Sequence, residues 1–270
     1  YPRGAEFLDR IAAAEKAHIG DFGDVAKNEA EFAKASKAAQ AMVSLREEAL
    51  LANPLLDFDR LLMIKRSETS PRLGLPSNWV GNCTLPRSGF DDEIVTLSPV
   101  RSGGKLTRLF KPEEPVMVGD VDLHFDATRM LFSSIGTNDR WQVFEVRVDG
   151  TGLRQITKGP IAEADNYDAC YLPNGRIVFD SSAVMQGVPC VGGNSPVANL
   201  YLMDANGENV RQLCFDQDHN WCPTVTNDGR VMYTRWEYTD SPHYFTRLVF
   251  HMNPDGTGQM ALYGSNSFWP

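Results

Sequence analysis

Hydrophobic residues recur along this chain with two different periods. From Asp24 to Ala52 the sequence is rich in Ala, Glu, Lys and Leu and contains no Gly or Pro. Phe32, Ala35, Ala39, Met42 and Leu45 fall at three- and four-residue steps, which predicts a long helix with one apolar stripe. Asn53-Pro54 ends it, because proline disfavours helical geometry in the residue before it. Ala5 to Ala17 predicts a shorter helix, set apart by Gly20 and Gly23. After Pro54 the pattern changes to short β-branched and aromatic runs divided by Gly, Asn and Asp. The reading therefore divides the chain into a helical segment, residues 1–53, and a β region, residues 54–270.

The β region repeats. Val121–Phe125, a turn at 126–128 and Arg129–Ser133 form the first copy. Asp168–Leu172, Pro173-Asn174-Gly175 and Arg176–Asp180 form the second, and Cys222–Thr226, Asn227-Asp228-Gly229 and Arg230–Thr234 the third. Each is followed by a hairpin signal: Val143–Val148 with Asp149-Gly150, Leu200–Met203 with Asn206-Gly207, and Leu248–Met252 with Asp255-Gly256. Asn-Gly and Asp-Gly between apolar runs mark hairpins, since the favoured two-residue turn needs positive φ at both central positions. Arg129, Arg176 and Arg230 open the second strand of each copy, at spacings of 47 and 54 residues. A period of about 50 residues with four strands per copy is that of a β-propeller blade. Glu93–Leu97 and Leu106–Phe110 read as outer strands of an earlier, incomplete blade, and Leu61–Lys65 as an inner one. The expectation is an all-β propeller of four-stranded antiparallel blades, about four visible and the ring incomplete, behind an N-terminal α-helical segment.

Pro173-Asn-Gly-Arg-Ile-Val-Phe179 and Asn227-Asp-Gly-Arg-Val-Met-Tyr233 resemble the repeat of TolB-like propellers. Longer stretches are similar to the middle domain of the hydrazine synthase alpha subunit and its relatives: residues 53–62, Phe215–Trp221, Arg235–Asp240 with Pro242–Phe245, and Met252–Gly258. The resemblance covers roughly residues 53 to 270. It implies a propeller and a periplasmic or extracellular setting. It does not carry hydrazine chemistry across, because covalent c-type haem needs Cys-x-x-Cys-His, and none of Cys83, Cys170, Cys190, Cys214 and Cys222 begins that motif. No other cofactor is evident in the sequence. The five cysteines read as buried thiols or as holding one disulfide.

Charge and composition narrow the partners. A net charge of -9 argues against a nucleic-acid backbone or an anionic membrane as the main partner. No run approaches the ~18 apolar residues of a membrane span. HExxH, GxSxG and P-loop patterns are missing, so any chemistry must come from residues that the fold assembles.

In propellers of this repeat type two loop classes converge on one face. The loops leading into the inner strands offer Asp120 and Asp122, then Asp165 and Asp168, then Asp216, Asp218 and His219. Carboxylates and an imidazole around one mouth suit a divalent metal or a general base. The same residues can instead hydrogen-bond their own turns. The second loop class is long: residues 181–198, and 235–245 with Arg235, Trp236, Glu237, Asp240, His243 and Tyr244. Aromatic faces beside Arg, Glu and His suit a carbohydrate or small-molecule ligand, and equally a subunit contact. Two functions stay open. One is a non-haem binding or scaffold domain, completed by further propeller blades or a partner subunit. The other is a metal-assisted, carbohydrate-active lyase or hydrolase.

Overall fold

A computed structural model describes residues 1–16, 28–71, 81–101, 103–158, 161–189, 192–236 and 247–264. It contains two units, residues 1–62 with 96–107 and residues 63–95 with 108–270.

The first unit carries helix α1 (Gly4–Lys16) and helix α2 (Glu29–Leu51). Asn28 starts α2, its side chain accepting the Ala30 N–H at 2.9 Å and so satisfying a donor left without an intrahelical partner. The last turn closes through the Ala52 N–H on the Glu48 carbonyl, just before the Asn53-Pro54 stop. The predicted start at Asp24 lies outside the described residues. Phe7 of α1 and Leu45 of α2 are buried, whereas Phe32 and Met42 remain exposed, so the apolar stripe is covered only in part. Arg3 and Arg10 sit over the Phe7 ring at 4.7 and 5.4 Å and both reach Glu48.

The β strands follow the repeat. Strands β1 (Leu61–Lys65), β2 (Glu93–Ser98) and β3 (Lys105–Phe110) form a three-stranded sheet in that order. Three four-stranded sheets come next. The first is β4 (Gly119–Leu123), β5 (Arg129–Ile135), β6 (Trp141–Arg147) and β7 (Arg154–Gln155). The second is β8 (Asn166–Tyr171), β9 (Ile177–Ser181), β10 (Asn199–Met203) and β11 (Arg211–Gln212). The third is β12 (Asn220–Val225), β13 (Val231–Arg235), β14 (Leu248–Met252) and β15 (Met260–Tyr263). In all three the strands run antiparallel in chain order, the arrangement of propeller blades.

Consecutive blades seal one another. The middle blade buries both faces, which is why its strands read as nearly continuous apolar runs. Ala169, Tyr171, Ile177, Phe179, Tyr201 and Met203 face Leu131, Val143 and Ile156 of the blade before. The alternate residues Cys170, Leu172, Val178, Leu200 and Leu202 face Val231, Tyr233 and Met252 of the blade after. Period-two alternation thus separates two buried faces rather than core from solvent.

Two repeated contacts fix the spacing. Arg154 donates to the Ala205 carbonyl at 3.1 Å, and Arg211 to the Asp255 carbonyl at 3.0 Å, each reaching from an outermost strand to the hairpin turn of the next blade. In return that turn's glycine tucks beneath the preceding blade. A Cβ on Gly207 would lie 2.1 Å from the Ile156 carbonyl oxygen, and one on Gly150 2.5 Å from that of Leu109. Leu109 therefore places β3 as the outermost strand of its sheet. Arg60 precedes β1 as Arg176 precedes β9 and Arg230 precedes β13, so β1 matches the second strand of the other sheets.

Candidate functional site

Described residues of the 181–198 loop and of the starts of β6, β8 and β12 come together as a packed layer. Trp141, Tyr167, Trp221 and Trp236 gather with Phe90, Met117, Val188, Val197 and Ala198 into one buried cluster above the strands. The 181–198 loop feeds it. Val188 and Val197 pair with Ser195 and Gln186, and Gly187 approaches Gly193 too closely to admit a Cβ.

Asp165 lies inside this layer at 1% exposure. Its Oδ1 accepts the Trp141 N–H at 3.0 Å, Arg87 approaches at 3.6 Å and Arg140 at 3.5 Å. It therefore ties the start of β8 to the start of β6 in the preceding blade. His219 is fully buried, stacked on Trp221 at 4.3 Å and tilted against Trp236 at 6.0 Å. Its Nδ1 accepts the Ala198 N–H at 3.1 Å, so that nitrogen carries no proton. Asp218 and Trp236 are buried too. Arg235 lies flat on Phe250 at 4.3 Å, donates to Asn220 Oδ1 at 3.0 Å and to the Asp216 carboxylate. Glu237, Asp240, His243 and Tyr244 lie outside the described residues.

Asp168 belongs to a different feature, a ladder along the inner strands. Asp120, Asp168 and Cys222 occupy equivalent bulged positions of β4, β8 and β12, at φ of 50°, 47° and 53°. Asp tolerates this left-handed conformation better than most residues; Cys is less usual there. The bulge turns each side chain along the blade series. The Asp120 carboxylate accepts the Asn82 amide at 2.6 Å and faces the Asp168 N–H, which donates to Ser133 Oγ at 2.8 Å. The Asp168 carboxyl in turn takes the thiol and backbone N–H of Cys222.

Behind Asp168 lies Asp180 on β9, fully buried, its carboxyl facing the backbone N–H of Cys222. Burial and then the neighbouring charge of Asp120 push the Asp168 carboxyl up to about 8. Burial, then Asp168 and Asp120, push Asp180 well above the carboxylate range. Desolvation also raises Asp120. Burial makes the neutral carboxyl the cheaper form for Asp168 and Asp180.

The sequence reading did not single out Asp180, Cys222 or Ser133. An acid at 180, where the equivalent strands carry Ser133 and Thr234, was the available signal. Among the described residues no group of three or more His, Cys, Asp or Glu side chains is placed to hold a metal ion. Cys83, Cys170, Cys214 and Cys222 are free thiols. No described helix is long and apolar enough to cross a membrane.

No protein-family model matches the chain, and no curated protein matches it significantly. Solved structures do. Hydrazine synthase of Kuenenia stuttgartiensis aligns over 76% of this chain and 32% of its own, with a TM-score of 0.58 at 16% identity. A TolB from Agrobacterium tumefaciens aligns over 64% of this chain and 57% of its own, with a TM-score of 0.49 at 16% identity. An oligogalacturonate lyase in complex with manganese aligns over 80% and 53%, with a TM-score of 0.49 at 14% identity. The chain thus spans well under two thirds of these proteins. Topology and the likeness to hydrazine synthase agree on the fold: the described strands β1–β15 form β-propeller blades, three of four strands and one of three.

Proposed function

We propose that this chain is a binding or scaffold propeller domain of a secreted or periplasmic protein, completed by further blades or a partner subunit. The observation that carries the reading is the state of His219. A general base needs a free nitrogen and a substrate within reach. Here Nδ1 is committed to a backbone N–H, and the ring is sealed between indoles at zero exposure. Asp165 is committed in the same way, linking one blade to another, and Arg235 is held by Asn220, Asp216 and Phe250 at the last blade. These residues hold the loops in place for display rather than react.

Exposed apolar side chains on β15, Met260, Leu262 and Tyr263, support a covering neighbour. The extracytoplasmic setting rests on the resemblance of the repeat. The test is an assay of the purified chain with Mn2+ and oligogalacturonate, following formation of unsaturated product. No turnover is expected, and a Tm shift on loading Mn2+ is not expected either. Turnover abolished by His219→Gln at unchanged Tm would overturn the reading in favour of the metal-assisted lyase.

A further inference from the structure

Each four-stranded blade begins with an innermost strand, and the first sheet lacks one among the described residues. Strands β4, β8 and β12 pair with β5, β9 and β13, whereas β1, the counterpart of those second strands, lies at the edge of its sheet. The residues just before β1 do not supply the strand: Pro54–Leu56 are a 3-10 turn, and residues 57–60 are in no strand. An edge of this kind offers unpaired backbone groups to another strand.

The contacts between consecutive blades show what an innermost strand does for its neighbour. Tyr171 of β8 packs edge-on against His124, just beyond β4, at 4.7 Å, and its N–H donates to Asp122 of β4 at 2.9 Å. It is 4% exposed. Leu123 holds the same place, three residues after the bulge, and faces the first sheet, yet it is 42% exposed. The bulges repeat the contrast. The Asp168 N–H is met by Ser133 and the Asp120 carboxylate, and the Cys222 N–H by Asp180 and the Asp168 carboxyl. Ser133 and Asp180 each stand four residues after the arginine that opens the second strand. Counted from Arg60, that place in β1 is Ile64, which has no acceptor, and no described carboxyl-bearing bulge precedes Asp120.

We propose that the edge of β1 is a strand-acceptor site, filled by an innermost strand of the β4, β8 and β12 type that a later stretch of the same chain lays down. The strand carries an acidic or amide side chain in its bulge, beside Ile64, and covers Leu123. The source follows from chain order: innermost strands leave directly from outermost ones, β3 to β4, β7 to β8 and β11 to β12, and β15 is an outermost strand. The inference rests on the reading of a propeller completed by further blades, but its test uses neither metal nor substrate and so fails separately from the Mn2+ assay.

The test is hydrogen–deuterium exchange of the intact chain, alone and with the peptide acetyl-Asn-Tyr-Asp-Ala-Ser-Tyr-Leu-amide, which copies residues 166–172 with serine for Cys170. Alone, β1 is expected to exchange at least ~10-fold faster than β9, which is paired on both edges. The peptide is expected to slow β1 saturably, with half its effect at about 0.1–1 mM. Alanine for the peptide's aspartate should weaken it about 5-fold or more. Leu123→Asp alters an exposed position, so it is expected to keep the Tm and weaken the peptide by a similar factor. A β1 already as slow as β9, no slowing by the peptide, or equal binding of the alanine peptide overturns the proposal. The last result assigns the edge to any extended strand of another protein. The comparison of β1 with β9 and of the two peptides decides the matter even if Leu123→Asp fails to fold.

Discussion

The backbone N–H of Asp168 donates to the hydroxyl of Ser133 at 2.8 Å, from the innermost strand of one blade to the second strand of the blade before it. That bond is possible because Asp168 sits in a bulge at positive φ, which turns its amide out of its own sheet. The carboxyl of the same residue points onward to Cys222 of the following blade. One residue therefore links three blades, and its protonation state enters the stability of all of them.

Stability is expected to fall as pH rises from about 4 to about 8. The Asp168 carboxyl is held up to about 8 by burial and the Asp120 charge, whereas it ionises near 3.8 when exposed. Below the unfolded value both states hold the proton and no penalty exists. Between the two values the unfolded chain releases a proton that the folded one keeps, and the cost grows to at most a few kcal/mol. Asp168→Asn keeps an acceptor for Cys222 and cannot ionise. Urea unfolding at pH 4.5 and pH 8 should show the variant gaining on the parent only at the higher pH. A gap equal at both values would contradict this account.

Asp165→Ala should lower stability by about 2–4 kcal/mol, because the Trp141 N–H would be left buried without its acceptor, Arg140 without its carboxylate and Arg87 with Asp139 alone. Asp165→Asn should recover part of that, since the amide oxygen still accepts from Trp141. Chemical denaturation midpoints of the two variants check the order.

Arg154→Ala and Arg211→Ala should each cost about 0.5–1.5 kcal/mol. Each removes one clasp between neighbouring blades. Arg154 should be the costlier, because it also pairs with Glu145 at 2.7 Å. Thermal melts of the two single variants give the comparison.

Much of this fold was legible because its turns are written in unambiguous residues. Asn174-Gly175, Asn206-Gly207 and Asp255-Gly256 fix where strands stop, and the runs between them had no other use. The fourth strands β7 and β11 were harder, being two residues long and apolar in neither position. The place of β1 was harder still, since Arg60 follows Asp59 without the glycine that precedes Arg176 and Arg230. The candidate site read less well for a physical reason. Polar residues at a blade's entrance serve ligands and interblade hydrogen bonds equally, and only burial separates the two. Asp165 and His219 each accept a backbone N–H from the neighbouring blade.

Gly175 and Gly207 offer the most direct test of blades stacked face to face in series. Both close a hairpin after asparagine, and both hold φ near +80°, at 80° and 83°. A Cβ on Gly175 would meet nothing within 4 Å, whereas one on Gly207 would strike the Ile156 carbonyl of the preceding blade at 2.1 Å. Gly175→Ala should therefore cost only the conformational strain, about 1–2 kcal/mol. Gly207→Ala should cost at least about 2 kcal/mol more, because backbone must move. The measurement is the pair of unfolding free energies from denaturant titration. A clear excess for Gly207→Ala is the expected result, and equal losses at the two sites would contradict the stacking.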